Sequence, residues 1–166
     1  MPISESVQNF FFPRLNRWFF IRLSCLAAAT FLFCRFVITP AWTNGASMLP
    51  TYQNHQFLPV LRCRYWFSSP KPGDVVAVRY IGQQMFLKRV VAIAGQTVAF
   101  HNGVLFIDGN ECEEPWAHLT PCDWELAPRV VPPGEVYIIG DNRAMPISEH
   151  YFGHVNARRI IGTPLW

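Results

Sequence analysis

The sequence predicts a mostly β domain preceded by one N-terminal transmembrane helix. An apolar run of membrane-spanning length lies near the N-terminus, and after residue 40 glycine and proline punctuate short runs of β-branched and aromatic residues. No helical apolar period is sustained across that second part. The 166 residues suffice for one such domain with a sizeable core, since 51% are hydrophobic and 15% aromatic, which excludes disorder as the dominant state. Charged residues make up 15% and the formal net charge is +3. The basic residues are scattered and largely N-terminal, so no nucleic acid is expected as a partner.

The first element is "WFFIRLSCLAAATFLFCRFVI", residues 18 to 38. A hydrocarbon layer about 30 Å thick takes roughly 20 helical residues, and this run has that length. Arg22 and Arg35 stand near its two ends, where long side chains reach toward headgroups. A cleaved signal would need a small-x-small site soon after, and "ITPAWTNGAS" fits poorly because Trp42 and the proline crowd it. The run is therefore expected to stay as an anchor. Arg14, Arg17 and Arg22 precede its apolar centre and only Arg35 follows closely. The positive-inside bias then puts residues 1–17 in the cytosol, 18–38 across the cell (inner) membrane, and 40–166 on the extracytoplasmic face as the β-rich domain.

Within that domain "DVVAVRYI" (74–81) and "MFLKRVVAIAG" (85–95) read as strands after turn-forming residues. Asn102-Gly103 between two apolar runs predicts a type I′ hairpin, and Asp108-Gly109 a further turn. A strand "EVYII" follows the proline-glycine turn at 132–134, and a loop opens at Gly140. Of the five cysteines, Cys112 and Cys122 suit either a loop disulfide in an extracytoplasmic domain or two small core hydrophobes. No Cys-x-x-Cys or His-rich spacing suggests a metal.

The chemistry starts at "NGASMLPT", residues 44–51, where Ser47 follows two small residues with no histidine or carboxylate nearby to take its proton. The chain has two lysines. Lys71 sits between prolines in a solvated turn. Lys88 lies in the apolar strand, where alternation puts it on one face with Phe86 and Val90, and Leu87, Arg89 and Val91 on the other. Burial there disfavours the ammonium form, and a neutral amine is a competent general base. Ser47 and Lys88 thus form a candidate dyad in which lysine replaces histidine. Taken singly, Ser47 reads as a turn residue ahead of a proline and Lys88 as a strand lysine at a domain edge.

The ordered blocks "GASMLPT", "PGDVVAV", "LKRVVAIAGQTV" and "GDNR" followed by "YFG", spanning residues 45 to 153, resemble the type I signal peptidase family, including its mitochondrial inner-membrane and conjugative-transfer relatives. The resemblance implies a signal-peptidase-like β-rich catalytic domain and a membrane-anchored serine endopeptidase that cleaves signal peptides from secretory precursors. It makes Ser47 the nucleophile and Lys88 the general base. It gives the oxyanion to the backbone N–H of Ser47, with Gly45 where some relatives carry a helping hydroxyl. Small residues, usually alanine, are implied at the first and third positions before the cut, with Met48 and Val90 near the pockets that read them. The peptide would add alongside strands. Precursors and membrane lipids are the implied partners, Trp42, Trp66 and Phe67 are candidates to enter the interface, and no cofactor is implied.

The last block departs from the family. In "GDNRAMPISEHYFG", residues 140–153, ungapped alignment sets Pro146 where a family serine bonds the lysine, and Ser148, Glu149 and His150 replace an aspartate-containing triplet. Alternatively Ser148 fills the serine role, with Glu149 and His150 as a substitute ion pair. Asp141, Asn142 and Arg143 are expected to support the site through turn chemistry and a buried network. The altered loop motivates a second reading, a non-catalytic peptide-binding paralogue. A third is a specialised peptidase serving a single conjugative or organellar precursor.

Overall fold

The computed structural model describes residues 16–79, 85–116, 122–149 and 153–165, and the chain divides into two compact units, Met1–Val37 and Ile38–Trp166. The first holds α1 (Arg17–Val37), whose 21 residues carry a window of mean hydropathy 1.7, long and apolar enough to cross a membrane. Asn16 caps it, its Oδ1 accepting the Phe19 N–H at 2.9 Å. The expected cytosolic segment falls, up to residue 15, outside the described residues.

The second unit is β-rich, as expected. Its strands are β1 (Ile38–Trp42), β2 (Phe57–Leu61), β3 (Val75–Arg79), β4 (Met85–Ile93), β5 (Thr97–His101), β6 (Val104–Ile107), β7 (Asn110–Glu111), β8 (Leu126–Val130), β9 (Glu135–Ile139), β10 (Gly153–Asn156) and β11 (Ile160–Pro164). They form a seven-stranded sheet in the order β1-β2-β11-β3-β4-β9-β10 and a four-stranded sheet in the order β7-β6-β5-β8. All the pairings are antiparallel. Both turn expectations hold: Asn102-Gly103 joins β5 to β6 with φ of 49° and 77°, and Asp108-Gly109 joins β6 to β7 with φ of 53° and 80°. Residues 80 and 81 of the expected strand over 74–81 lie outside the described residues.

The middle of the large sheet is buried on both faces. In β9, Val136 and Ile138 join Val76, Val78 and Val90 in one apolar cluster. Tyr137 and Ile139 point the other way, into a second cluster with Phe100, Leu105 and Trp124. β4 behaves likewise, buried continuously from Lys88 to Ala92. Its pairing with β9 shifts register between Val90 and Ala92. This two-sided burial is why a lysine and an arginine adjacent in sequence are both withdrawn from water, Lys88 at 2% and Arg89 at 8% exposure.

Candidate active site

Two segments far apart in sequence build the site: the turn that carries Ser47, between β1 and β2, and the loop that leaves β9. The turn is held by short bonds of its own. The Gly45 N–H donates to Asn54 Oδ1 at 2.9 Å, and the Leu49 and Tyr52 N–H groups donate to the Ala46 and Met48 carbonyls at 3.1 and 3.0 Å. Gly45 has φ +109°, a conformation that L side chains rarely adopt, so the turn selects glycine here. Its N–H is already engaged with Asn54. The Ser47 N–H, by contrast, donates to no acceptor among the described residues, and the Ser47 hydroxyl makes no hydrogen bond there either.

Asn142 ties the two segments together. Its backbone N–H donates to the Ser47 carbonyl at 3.0 Å and its Nδ2 to the Ala46 carbonyl at 3.0 Å. One residue earlier, fully buried Asp141 accepts Arg89 Nε at 2.8 Å, Arg89 Nη2 at 2.6 Å and the Thr51 hydroxyl at 2.6 Å. Arg89 also donates to the Gly73 carbonyl at 2.7 Å and stacks over the Trp116 ring at 4.3 Å. Arg143 donates to the Gly140 carbonyl at 3.1 Å, pairs with Glu114, and lies over the Phe100 and Trp124 rings. Asp141 and Arg143 are both buried and hydrogen-bonded, and Asn142 is the direct link to the serine turn.

Lys88 follows from this frame. It stands beside Arg89 in β4, opposite Val76 of β3. Burial pushes its amine down from 10.5 to about 8, and the nearby Asp141 carboxylate opposes part of that drop. No salt bridge is present on it among the described residues.

A groove opens beside Ser47, lined by Trp42 and Leu58 from the first two strands, Met48, Ala77 of β3 and Leu87 of β4. Met48 is among its walls. Val90 is not: it is fully buried in the apolar cluster with Val76 and Ile138. Ala77 and Leu87 occupy the lining, together with Phe86 from the face that alternation gives to Lys88. Ser148 is exposed on a short 3-10 helix, Ile147–Glu149, and makes no hydrogen bond to Lys88. Glu149 is exposed too, while His150 lies outside the described residues. The five cysteines are free thiols, so Cys112 and Cys122 do not close a loop. Both are half-buried against the Phe100–Trp124 cluster, and burial raises both thiols. Trp42, Trp66 and Phe67 are exposed by 66%, 57% and 97%.

Thr51, Glu114 and Trp116 were not singled out by sequence. Thr51 sits four residues past Ser47, so its proximity was visible although its partner was not. The acids of "ECEEPW" look like a solvated loop, and nothing local marks Glu114 as the partner of a buried arginine.

The pattern of the family described as signal peptidase, peptidase S26, matches residues 15–166. The chain is 33% identical to the probable signal peptidase I-1 of Synechocystis sp., covering 93% of this chain and 85% of that protein. It is 32% identical to the signal peptidase I of Leptolyngbya laminosa over 76% of this chain and 66% of that one. With the signal peptidase I of Bacillus caldolyticus it shares 26% identity over 90% and 87% of the two. A solved signal peptidase I from Enterococcus faecalis V583 is matched at 22% identity and a TM-score of 0.46, over 58% of this chain and 97% of that one. The family pattern runs from the start of the apolar helix to the last residue and takes in the serine turn, the lysine strand and the loop that joins them, so this chain belongs to the signal peptidase family, peptidase S26.

Proposed function

We propose that the chain is a membrane-anchored serine endopeptidase that removes N-terminal signal peptides from precursor proteins, with Ser47 as nucleophile and Lys88 as general base. The observation that carries this is Lys88 itself: a lysine 2% exposed, held down to about 8, in the same β4 segment as groove-lining Leu87 and linked through Arg89, Asp141 and Asn142 to the serine turn. Burying an ammonium without a carboxylate partner is costly. A catalyst that needs the amine neutral gives that cost a use.

The sequence of events follows from these groups. The neutral Lys88 amine takes the Ser47 proton as Oγ attacks the scissile carbonyl. Negative charge develops on the carbonyl oxygen and is met by the Ser47 N–H. As the intermediate collapses, the Lys88 ammonium returns its proton to the departing amine, leaving an acyl-serine. The neutral amine then activates water to release the acid and regenerate the hydroxyl. Ala77, Met48 and Leu87 offer small apolar surface rather than deep pockets, which suits alanine-sized side chains on either side of an extended peptide. The helix α1 serves as the anchor, with the positive-inside bias placing the N-terminus in the cytosol and the β-rich unit outside. Asp141, Arg89 and Asn142 act as positioning residues.

The test is cleavage of a precursor bearing an Ala-x-Ala site by the detergent-solubilised full chain across pH. Cutting is expected to require Ser47 and to speed up as pH rises through about 8. Cleavage by the Ser47→Ala variant at the wild-type rate would refute the assignment.

A further inference from the structure

The groove beside Ser47 is mostly apolar, and the hydroxyl groups in its lining are those of Thr43, Ser47 and Tyr52. Thr43 donates to the Gln53 carbonyl at 2.5 Å and accepts the Gln56 N–H at 2.8 Å, so its hydroxyl is spent within its own loop. Ser47 is the proposed nucleophile. Tyr52 is half-buried, and its hydroxyl makes no hydrogen bond among the described residues. Trp42 and Asn44, which carry the side-chain N–H groups of the lining, are exposed.

Tyr52 stands where it can be read by the substrate. Its N–H donates to the Met48 carbonyl at 3.0 Å, closing one turn of chain, so Met48 and Tyr52 both reach the groove from the nucleophile's own turn. The side chain of the residue whose carbonyl is attacked branches one bond from that carbonyl and packs next to the nucleophile. Its pocket is therefore walled by the apolar chain of Met48 and the phenol of Tyr52. Burial pushes that phenol up from its ordinary range, with Arg89 pulling against the rise and Asp141 adding to it, so the group stays an O–H at neutral and mildly alkaline pH. A methyl seated against this hydroxyl strips water from it and returns no bond. A hydroxymethyl of nearly the same size gives one back, and a site that hydrogen-bonds a hydroxyl discriminates against the analogue lacking it.

We propose that Tyr52 determines specificity at the residue before the cut, its hydroxyl bonding a serine there, so that serine is taken at that position at least as well as alanine. This deepens the peptidase reading above and rests on it.

The test compares three precursors cut by the detergent-solubilised full chain: one with alanine at the first and third positions before the cut, one with serine at the first, and one with serine at the third. Wild type is expected to show a kcat/KM for first-position serine equal to or above that for alanine. Tyr52→Phe keeps the ring and removes the hydroxyl. It should lower the ratio of first-position serine to alanine about fivefold, the worth of one neutral hydrogen bond, and leave the third-position ratio where it was. Each ratio is taken on one preparation, so any misfolded fraction cancels. A first-position ratio equal in variant and wild type overturns the proposal, and so does an equal fall at both positions. Should the variant cut nothing, wild type decides: faster cutting of the alanine precursor than of the first-position serine precursor overturns the proposal. A wild type that cuts none of the three overturns the peptidase reading and this proposal with it, whereas the other outcomes leave that reading standing.

Discussion

Arg89 grips both carboxylate oxygens of Asp141, through Nε at 2.8 Å and Nη2 at 2.6 Å, in a part of the domain where Asp141 is wholly shielded from water. The pair fastens β4 to the loop after β9. Since Lys88 precedes Arg89 and Asn142 follows Asp141, one ion pair sets the position of both the proposed base and the turn of the proposed nucleophile.

Removing one partner of such a pair leaves a buried charge uncompensated. Asp141→Asn is expected to lower stability by about 3–5 kcal/mol, measured by urea unfolding of the solubilised chain. Thr51→Val, which removes only the 2.6 Å hydroxyl bond to the same carboxylate, should cost about 1–2 kcal/mol. A smaller loss for Asp141→Asn than for Thr51→Val would contradict this account.

Asp141 also acts on the proposed chemistry at a distance. Its negative charge favours the ammonium form of Lys88. Asp141→Asn should therefore move the rising limb of the pH–rate profile to lower pH, in whatever fraction of the variant stays folded. A shift to higher pH would show that the carboxylate acts on the base in some other way.

Lys88→Met is expected to reduce kcat on the order of 10² to 10⁴-fold, the range for loss of a general base. The same change should stabilise the fold at neutral pH. The folded-state pKa of about 8 lies below the ordinary 10.5, so the unfolded chain binds more protons between those values and wild-type stability rises with pH across that window. Below pH 8 wild type bears the full desolvation cost, on the order of 3 kcal/mol. Denaturation of the two proteins at pH 7 and pH 10 should show the variant's advantage shrinking. An advantage independent of pH would mean the gain came from packing alone.

Two glycines with similar backbone angles make a paired test. Gly103 has φ +77°, and an added Cβ would lie 1.9 Å from the Cys122 carbonyl oxygen. Gly109 has φ +80° with nothing within 4 Å. Gly109→Ala should cost about 1 kcal/mol, from conformation alone. Gly103→Ala should cost at least about 3 kcal/mol, because backbone must also move. Equal losses would place no weight on the Cys122 contact.

Local chemistry made some of this legible. Asn102-Gly103 and Asp108-Gly109 declare their turns because few other residues accept positive φ, and the run containing Lys88 reads as a strand from its composition. The strands β1, β2, β8, β10 and β11 are not foreseen by that reading. Two of them carry prolines opposite each other, Pro40 and Pro59, which argue against a strand unless it lies at or near a sheet edge. Val90, expected near the pockets, lies away from the groove lining for a related reason. Alternation tells which residues share a face with Lys88, but not that this face is covered by Val76, Val136 and Ile138. That covering depends on non-local pairing, as does the meeting of Glu114 with Arg143.

The strand β9 serves two interiors at once, Val136 and Ile138 facing one and Tyr137 and Ile139 the other. Neither layer can loosen while the other stays intact, because the same four residues are mortar for both. The amides of 136–139 should accordingly be the last in the domain to swap their hydrogens for deuterium, and the two sheets should melt in one step rather than in succession.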